Sequence, residues 1–397
     1  MKISKKCASV SPSMTLSITS KAKAMKKQGK DVISFSAGEP DFNTPQHIVD
    51  AAKTAMDKGF TKYTAASGMV ELRQAVVDEL SKKGLEYEVG QIVISNGAKH
   101  SLYNSMQAVL EEGDEVMIPR PYWVSYPEIV KLAGAVPVFV QTGDDFLASV
   151  DEFKAKLSPK TKALILTNPS NPTGAIYSTE QLKEIVNFCI QNDIIVIADE
   201  IYNKLEYDDN STPSIATFDG MKDMTIVING ASKAYAMTGW RIGWAAAPKN
   251  VAAAMGALQS HATSNPNTIA QWAALSALTD PRTEKCIEDM RVEFKQRRDY
   301  MTETISKMKH VDYVQPGGAF YVMVDVSKIF GKSYLGKKIG GSLDFSAILL
   351  DEKYVATVPG IAFGADKYIR LSYATSLANI KQGLIRLEEF LTEIMEK

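Results

Sequence analysis

The chain has 397 residues, beyond the roughly 250 to 300 at which one hydrophobic core stops growing, so two domains or lobes are expected. Hydrophobic residues make up 45% and charged residues 23%, which excludes disordered, fibrous and membrane-embedded compositions and leaves a globular protein. Forty-five basic residues against forty-six acidic ones give a net charge of -1, so no overall field would hold nucleic acid or an anionic membrane.

At the start of the chain Lys2, Lys5 and Lys6 precede a Ser-rich stretch rather than a continuous apolar segment, and no later apolar run reaches 18 residues. Neither export nor membrane insertion is indicated, and a cytoplasmic location is expected. Cys7, Cys189 and Cys286 are odd in number, far apart and without CxxC spacing, which argues against a disulfide framework or a thiolate metal site. A reducing compartment fits that usage.

From about residue 90 onward, short apolar runs alternate with helix-period segments, the pattern of crossover units on a largely parallel sheet. The fold class is therefore α/β. The run Ile92 to Ile94 reads as a buried strand, Ser95-Asn96-Gly97 as the turn after it, and Leu102, Met106, Val109 and Leu110 recur at helical spacing. Further strands are expected at Glu115 to Ile118, Val136 to Val140, Ala163 to Leu166, Ile194 to Ala198, Thr225 to Ile228 and Ile242 to Ala246, each short and apolar as burial on two faces requires.

Ligands of open α/β sheets bind outside the carboxyl ends of the strands, so the polar residues there are the informative ones. Gly97, Ala98 and Lys99 open a helix directly after a strand, where backbone N–H groups and the helix dipole suit a phosphate; the GxGxxG and GxxxxGK[ST] patterns are both missing. NPSNPTG, residues 168 to 174, is a rigid turn whose Asn171 amide is pre-positioned to donate a hydrogen bond to a phenolate-like oxygen. Asp199 closes the apolar run IIVIAD; taken alone it reads as a cap or turn residue, but a buried carboxylate needs a partner, and a cationic ring nitrogen would serve. Tyr202 follows three residues later. Lys233, in INGASKAYAMTGWRIGW, reads alone as a solvated loop lysine, yet a desolvated lysine at that place has a lowered pKa and attacks carbonyls.

Beyond residue 290 the texture changes to charged helices (RVEFKQRRDYMTETISKMK), a Gly-rich strand entry (PGGAFYVMVDV) and a final amphipathic helix (SLANIKQGLIRLEEFLTEIM), which predicts a second, smaller domain. Gly336 to Gly341 (GKKIGG) is expected to form a mobile loop.

SKAYAMTGWRIGW, DEIYNKL, NPSNPTG, SAGEPDFNTP and YIRLSYATS, in their spacing and together spanning nearly the whole chain, resemble the fold-type I aminotransferases of the aspartate aminotransferase type. The resemblance implies a mostly parallel seven-stranded sheet sandwiched by helices in a large domain (48–290), a smaller α+β domain (13–47 and 291–397) and an N-terminal arm (1–12). It implies pyridoxal 5'-phosphate carried on Lys233 through a Schiff base. Asp199 would pair with the pyridine nitrogen, Tyr202 and Asn171 would bond the ring oxygen, and Arg241 would hold the phosphate together with Gly97, Ala98 and Lys99. Trp123, in PRPYWVSYP, would stack on the ring; by itself it reads equally well as a core aromatic.

The same resemblance makes Arg370 the bidentate partner of the substrate α-carboxylate, with Gly38 letting backbone approach it. Family members are homodimers with a tyrosine reaching the neighbouring site, and Tyr63 in FTKYTAASG matches that position. One subgroup uses an arginine from the partner for the side-chain carboxylate, but the corresponding stretch here, SHATSNPNTIAQ, contains none. The chain instead resembles the bacterial subgroup in which a lysine and N-terminal hydroxyls face that carboxylate, matched by Lys99, Ser13 and Thr15. Lys99 also fits a solvated helix start or a phosphate contact.

The implied reaction moves the amino group of aspartate to 2-oxoglutarate, giving oxaloacetate and glutamate, by a ping-pong route. Aromatic, alanine, kynurenine or prephenate aminotransferases and a carbon-sulfur lyase share the cofactor and stand as alternatives. A non-catalytic regulator on the same fold is disfavoured, because every catalytic position is filled. Ser20 and Ser306 each begin an SxxK match without SDN or KTG companions, and His47, His100, His261 and His310 lack metal-ligand spacing.

Overall fold

The computed structural model describes residues 1–208 and 211–396. Seven strands form the large sheet: β1 (Ile92–Ser95), β2 (Glu115–Pro119), β3 (Val136–Val140), β4 (Thr161–Thr167), β5 (Ile195–Asp199), β6 (Thr225–Gly230) and β7 (Gly243–Ala246). Their order is β1-β7-β6-β5-β4-β2-β3; β7 runs antiparallel to both neighbours and every other pair is parallel. All seven expected strands are present; Val136–Val140 matches at both ends, and no end of the others moves by more than two residues. Short apolar strands of this kind bury both faces. In β4, Ala163 and Ile165 pack beneath helices α2 (Ala98–Val109), α3 (Ser125–Leu132) and α5 (Lys249–Ala262), while Leu164 and Leu166 pack on the other side against α4 (Thr179–Gln191). The two-residue side-chain period of a strand sorts these neighbours into separate layers.

A second sheet of four antiparallel strands carries the C-terminal part: β8 (Asp312–Tyr313), β9 (Tyr321–Asp325), β10 (Val358–Pro359) and β11 (Tyr368–Ser372), in the order β10-β11-β9-β8. The charged stretch expected as helix is α6 (Arg282–Ser306), and the final amphipathic helix is α7 (Leu377–Met395). The boundary expected at residues 290 and 291 falls inside α6, which is continuous across it. Ile369 and Leu371 of β11 enter the core of this part, whereas Arg370 between them lies on the opposite face with its register partners Met323 and Val358.

The run Gly336 to Gly341 is not a plain loop. Ser333–Tyr334 and Lys337–Lys338 pair as a hairpin, turned by Leu335 and Gly336 at φ 48° and 78°, and Gly341 precedes the helix Ser342–Lys353. Consecutive positive φ values are what a two-residue hairpin turn needs, so the glycine there sets turn geometry. Among the described residues no helix is long and apolar enough to cross a membrane.

Candidate active site

The carboxyl edge of the large sheet gathers residues that are distant in sequence. β1 runs parallel to β5 and β6, so the Ser95-Asn96-Gly97 turn, Asp199 and the segment after β6 that carries Lys233 open on one side. Arg241 enters the same edge immediately before the antiparallel β7.

Asp199 is buried at the end of β5, its Oδ2 accepting from the Tyr126 hydroxyl (2.7 Å) and its Oδ1 from the Ile201 amide (3.3 Å). Burial pushes its pKa up to about 6, against the pull of these two donors. Lys233 donates from Nζ to the Gly38 carbonyl, and its Nζ lies 5.8 Å and 5.7 Å from the ring centres of Tyr202 and Phe320. Burial brings the amine down to about 8; the Arg370 and Arg241 cations push the same way, and Glu39 and Asp199 oppose them. Near neutrality a usable fraction of this amine is therefore an unprotonated nucleophile. Tyr202 is buried with its hydroxyl 3.1 Å from that of Tyr321, and burial holds its pKa well above the usual phenol value.

Gly97 precedes α2 at φ 88°, ψ 159°, a conformation open to glycine, and a Cβ there would stand 2.4 Å from Arg241 Nη2. Its own N–H turns to the Ser95 carbonyl (2.7 Å), so the first-turn amides of Ala98 and Lys99 remain directed out of the helix. Arg241 adopts a left-handed conformation, φ 59° and ψ 52°, which bends its guanidinium back to the Thr238 carbonyl (2.8 Å) and the Asn96 carbonyl (3.4 Å). Lys99 stands with its Nζ 4.7 Å from the centre of the Trp123 ring, and burial together with Arg241 lowers its pKa. Two cations beside a helix N-terminus form an anion cradle.

Arg370 is 3% exposed; Nη1 donates to Asn171 Oδ1 (2.9 Å) and Nη2 to the Ser36 carbonyl (3.5 Å), while Nε has no partner. Its guanidinium lies between the rings of Tyr321 and Phe363, at 4.2 Å and 4.9 Å from their centres. Among the described residues no carboxylate pairs with it. A buried cation held by neutral partners alone is strongly disfavoured unless an anion joins it.

The sequence-predicted residues thus divide. Gly38, Tyr202, Asp199, Arg241 and Arg370 contact or act electrostatically on Lys233, Asn171 bonds Arg370, Arg241 neighbours Gly97 at the start of the helix that carries Ala98 and Lys99, and Lys99 stands over Trp123. Ser13 and Thr15 bond each other (2.8 Å), Ser13 capping the helix α1 (Met14–Lys27), and no hydrogen bond joins either to Lys99. Tyr63 is 89% exposed. Four contributors were not singled out in the sequence: Tyr126, Tyr321, Ser36 and Glu39. Tyr126 stands three residues after Trp123 in PRPYWVSYP, packed edge-on to it at 5.3 Å, and that helical spacing was its available signal. Ser36 and Glu39 lie within SAGEPDFNTP and Tyr321 within PGGAFYVMVDV, but local sequence carried no sign of the partners they meet.

A mostly parallel sheet with a desolvated lysine, a buried acid and an anion cradle at its carboxyl edge, faced by an arginine without a counter-anion, is the layout of a fold-type I transferase acting on amino acids. Residues 30–387 match the family described as aminotransferase class I and II, and the chain belongs to that family. It is 45% identical to the aspartate aminotransferase of Geobacillus stearothermophilus over 98% of this chain and 99% of that one. It is 43% identical to the probable aspartate/prephenate aminotransferase of Aquifex aeolicus over 96% and 97%. Its fold matches the aspartate aminotransferase from Thermus thermophilus solved with maleate at a TM-score of 0.93 and 38% identity, covering 98% of this chain and 99% of that one.

Proposed function

We propose that this aminotransferase moves the amino group of aspartate to 2-oxoglutarate, giving oxaloacetate and glutamate, with pyridoxal 5'-phosphate held on Lys233. The observation that carries the reading is Arg370: its buried guanidinium lacks a counter-anion and has a free Nε, so it suits the α-carboxylate that every amino acid brings. The residues present fit the cofactor. The cradle at Gly97, Ala98, Lys99 and Arg241 suits its phosphate, Asp199 suits its ring nitrogen, and Asn171 Nδ2 and the Tyr202 hydroxyl suit its ring oxygen. Trp123 offers the stacking face.

When bound, pyridoxal phosphate supplies an electron sink for the pair left on the substrate Cα. Lys233 would hold the cofactor and, as a free amine, would be the base that takes the proton from the substrate Cα, so one residue would both anchor and transfer. Asp199 as a carboxylate holds the ring nitrogen protonated. Arg370 and the Gly38 backbone orient the α-carboxylate, which aligns the Cα–H bond for removal. Lys99, together with Ser13 and Thr15, is the proposed seat of the side-chain carboxylate. Prephenate is a second substrate compatible with this site, as the name of the Aquifex aeolicus relative suggests.

The protein is further read as a cytoplasmic homodimer in which Tyr63 reaches the neighbouring site; its 89% exposure in the single chain supports that role. A division into an arm (1–12), a large domain (48–290) and a small domain (13–47 with 291–397) is supported by the separate seven-stranded and four-stranded sheets. The decisive experiment mixes the cofactor-loaded protein with single amino acids and follows its visible absorbance. Aspartate and glutamate should bleach the band; a response to alanine or tyrosine but not to aspartate would overturn the substrate assignment.

A further inference from the structure

Asp199 is held by one side-chain hydroxyl, itself backed by a second, and the reaction consumes neither. Tyr126, on α3, is 2% exposed and donates to Asp199 Oδ2 over 2.7 Å. The same hydroxyl lies 2.7 Å from Oγ1 of Thr167, the last residue of β4, which pairs directly with Asp199 across the sheet. An ionised carboxylate only accepts hydrogen bonds, so the Tyr126 proton points at Asp199 and the Thr167 hydroxyl donates into Tyr126. With Oδ1 tied to the Ile201 amide, both carboxylate oxygens are fixed and the plane of the group is set.

We propose that Tyr126, backed by Thr167, is a positioning residue for Asp199: it fixes the carboxylate plane and favours its ionised form, and so holds the proton on the cofactor's ring nitrogen. This rests on the reading of Asp199 as the partner of that nitrogen. The balance of forces makes the hydroxyl consequential, because burial raises the pKa of Asp199 to about 6 and the Tyr126 bond opposes the rise. The other groups acting on the carboxylate are Glu200, which disfavours its charge, and Lys233, which favours it; Tyr202 also senses it. Neither Glu200 nor Lys233 donates a hydrogen bond to it.

The test is Tyr126→Phe, which removes one oxygen and keeps the ring against Trp123. In the cofactor-free protein the Asp199 carboxyl is followed by infrared titration, assigned by its loss in Asp199→Asn. Its midpoint should rise by about one pH unit, the size of one charge-assisted bond, and the acid limb of kcat in the holoenzyme should rise with it while KM changes less than about two-fold. Thr167→Val should move both in the same direction by less, and Thr167→Ser should restore them; these variants carry the test if Tyr126→Phe does not fold. An unchanged carboxyl titration, or a shifted one with a stationary acid limb, overturns the proposal, as does a loss of thermal stability with neither titration moved. Native turnover in Asp199→Asn would instead remove the reading of Asp199 itself, whatever Tyr126 does.

Discussion

Arg370 Nη1 donates to Asn171 Oδ1 over 2.9 Å, joining β11 of the smaller sheet to the turn that follows β4 of the larger one. One bond thus connects the group proposed to hold the substrate with the group proposed to hold the cofactor's ring oxygen. Nε of Arg370 stays without a partner, and Asn171 keeps its Nδ2 without an acceptor among the described residues.

Arg370→Lys should weaken every amino-acid substrate alike, because it replaces a planar two-point clamp with a single point charge. Charge-assisted bonds are each worth about 1.5 to 3 kcal/mol, so kcat/KM for aspartate and for alanine should both fall by at least roughly ten-fold. Steady-state kinetics with the two substrates reads this. Unchanged kinetics would refute the clamp.

Lys99→Ala separates the side-chain carboxylate from the cofactor phosphate. Aspartate should lose roughly ten-fold or more in kcat/KM while alanine changes little. Equal losses on both, accompanied by weaker cofactor retention, would place Lys99 on the phosphate alone.

Gly97→Ala forces a Cβ into a backbone at φ 88° and within 2.4 Å of Arg241 Nη2. A non-glycine residue in such a region costs about 1 to 3 kcal/mol, and displacing Arg241 adds a loss at the anion cradle. Both a lower Tm and a weaker Kd for pyridoxal phosphate, measured by fluorescence titration, should follow. A variant with native cofactor affinity would show that Arg241 has no part in the cradle.

The pKa of Lys233, brought down to about 8, sets a pH dependence of cofactor loading. The free amine reacts and the ammonium does not, so the loading rate of the cofactor-free protein should climb about ten-fold per pH unit below 8 and level off above it. Over the last pH unit below 8, Asp199, raised to about 6, is already ionised and cannot be the source of the climb there. A plateau reached only near the ordinary lysine value would mean that Lys233 is not desolvated in solution.

Dimerisation has its own test. Tyr63→Ala and Lys233→Ala subunits, each inactive or weakened alone, should regain activity when mixed, because one of the two sites in a hybrid then carries both native residues. Sedimentation of the native protein as a monomer would remove the basis for this.

The seven strands, the helix after β1, the charged helix and the final amphipathic helix were legible in the sequence because buried strands and amphipathic helices each impose a period that local residues must obey, whereas of the second sheet only the strand at PGGAFYVMVDV was. Lys233, Asp199 and Asn171 each had a bland reading taken alone, and the roles proposed for them came from the resemblance of the motifs that carry them. The hairpin at Leu335-Gly336 was missed because a two-residue turn leaves almost no periodic trace, and α6 crosses the expected domain boundary because helix propensity is blind to domain limits.

What the tertiary structure alone decided is which partners meet. Tyr126 bonds Asp199 because β4, β5 and α3 pack at one edge, and Tyr321 joins Tyr202 because β9 is laid against the larger domain. Ser36 meets Arg370 across 334 positions of sequence, and Ser13 and Thr15 bond each other rather than Lys99. Local sequence fixes which groups a segment offers; the energy of pairing them depends on distance and burial, and those exist only once the chain has closed on itself.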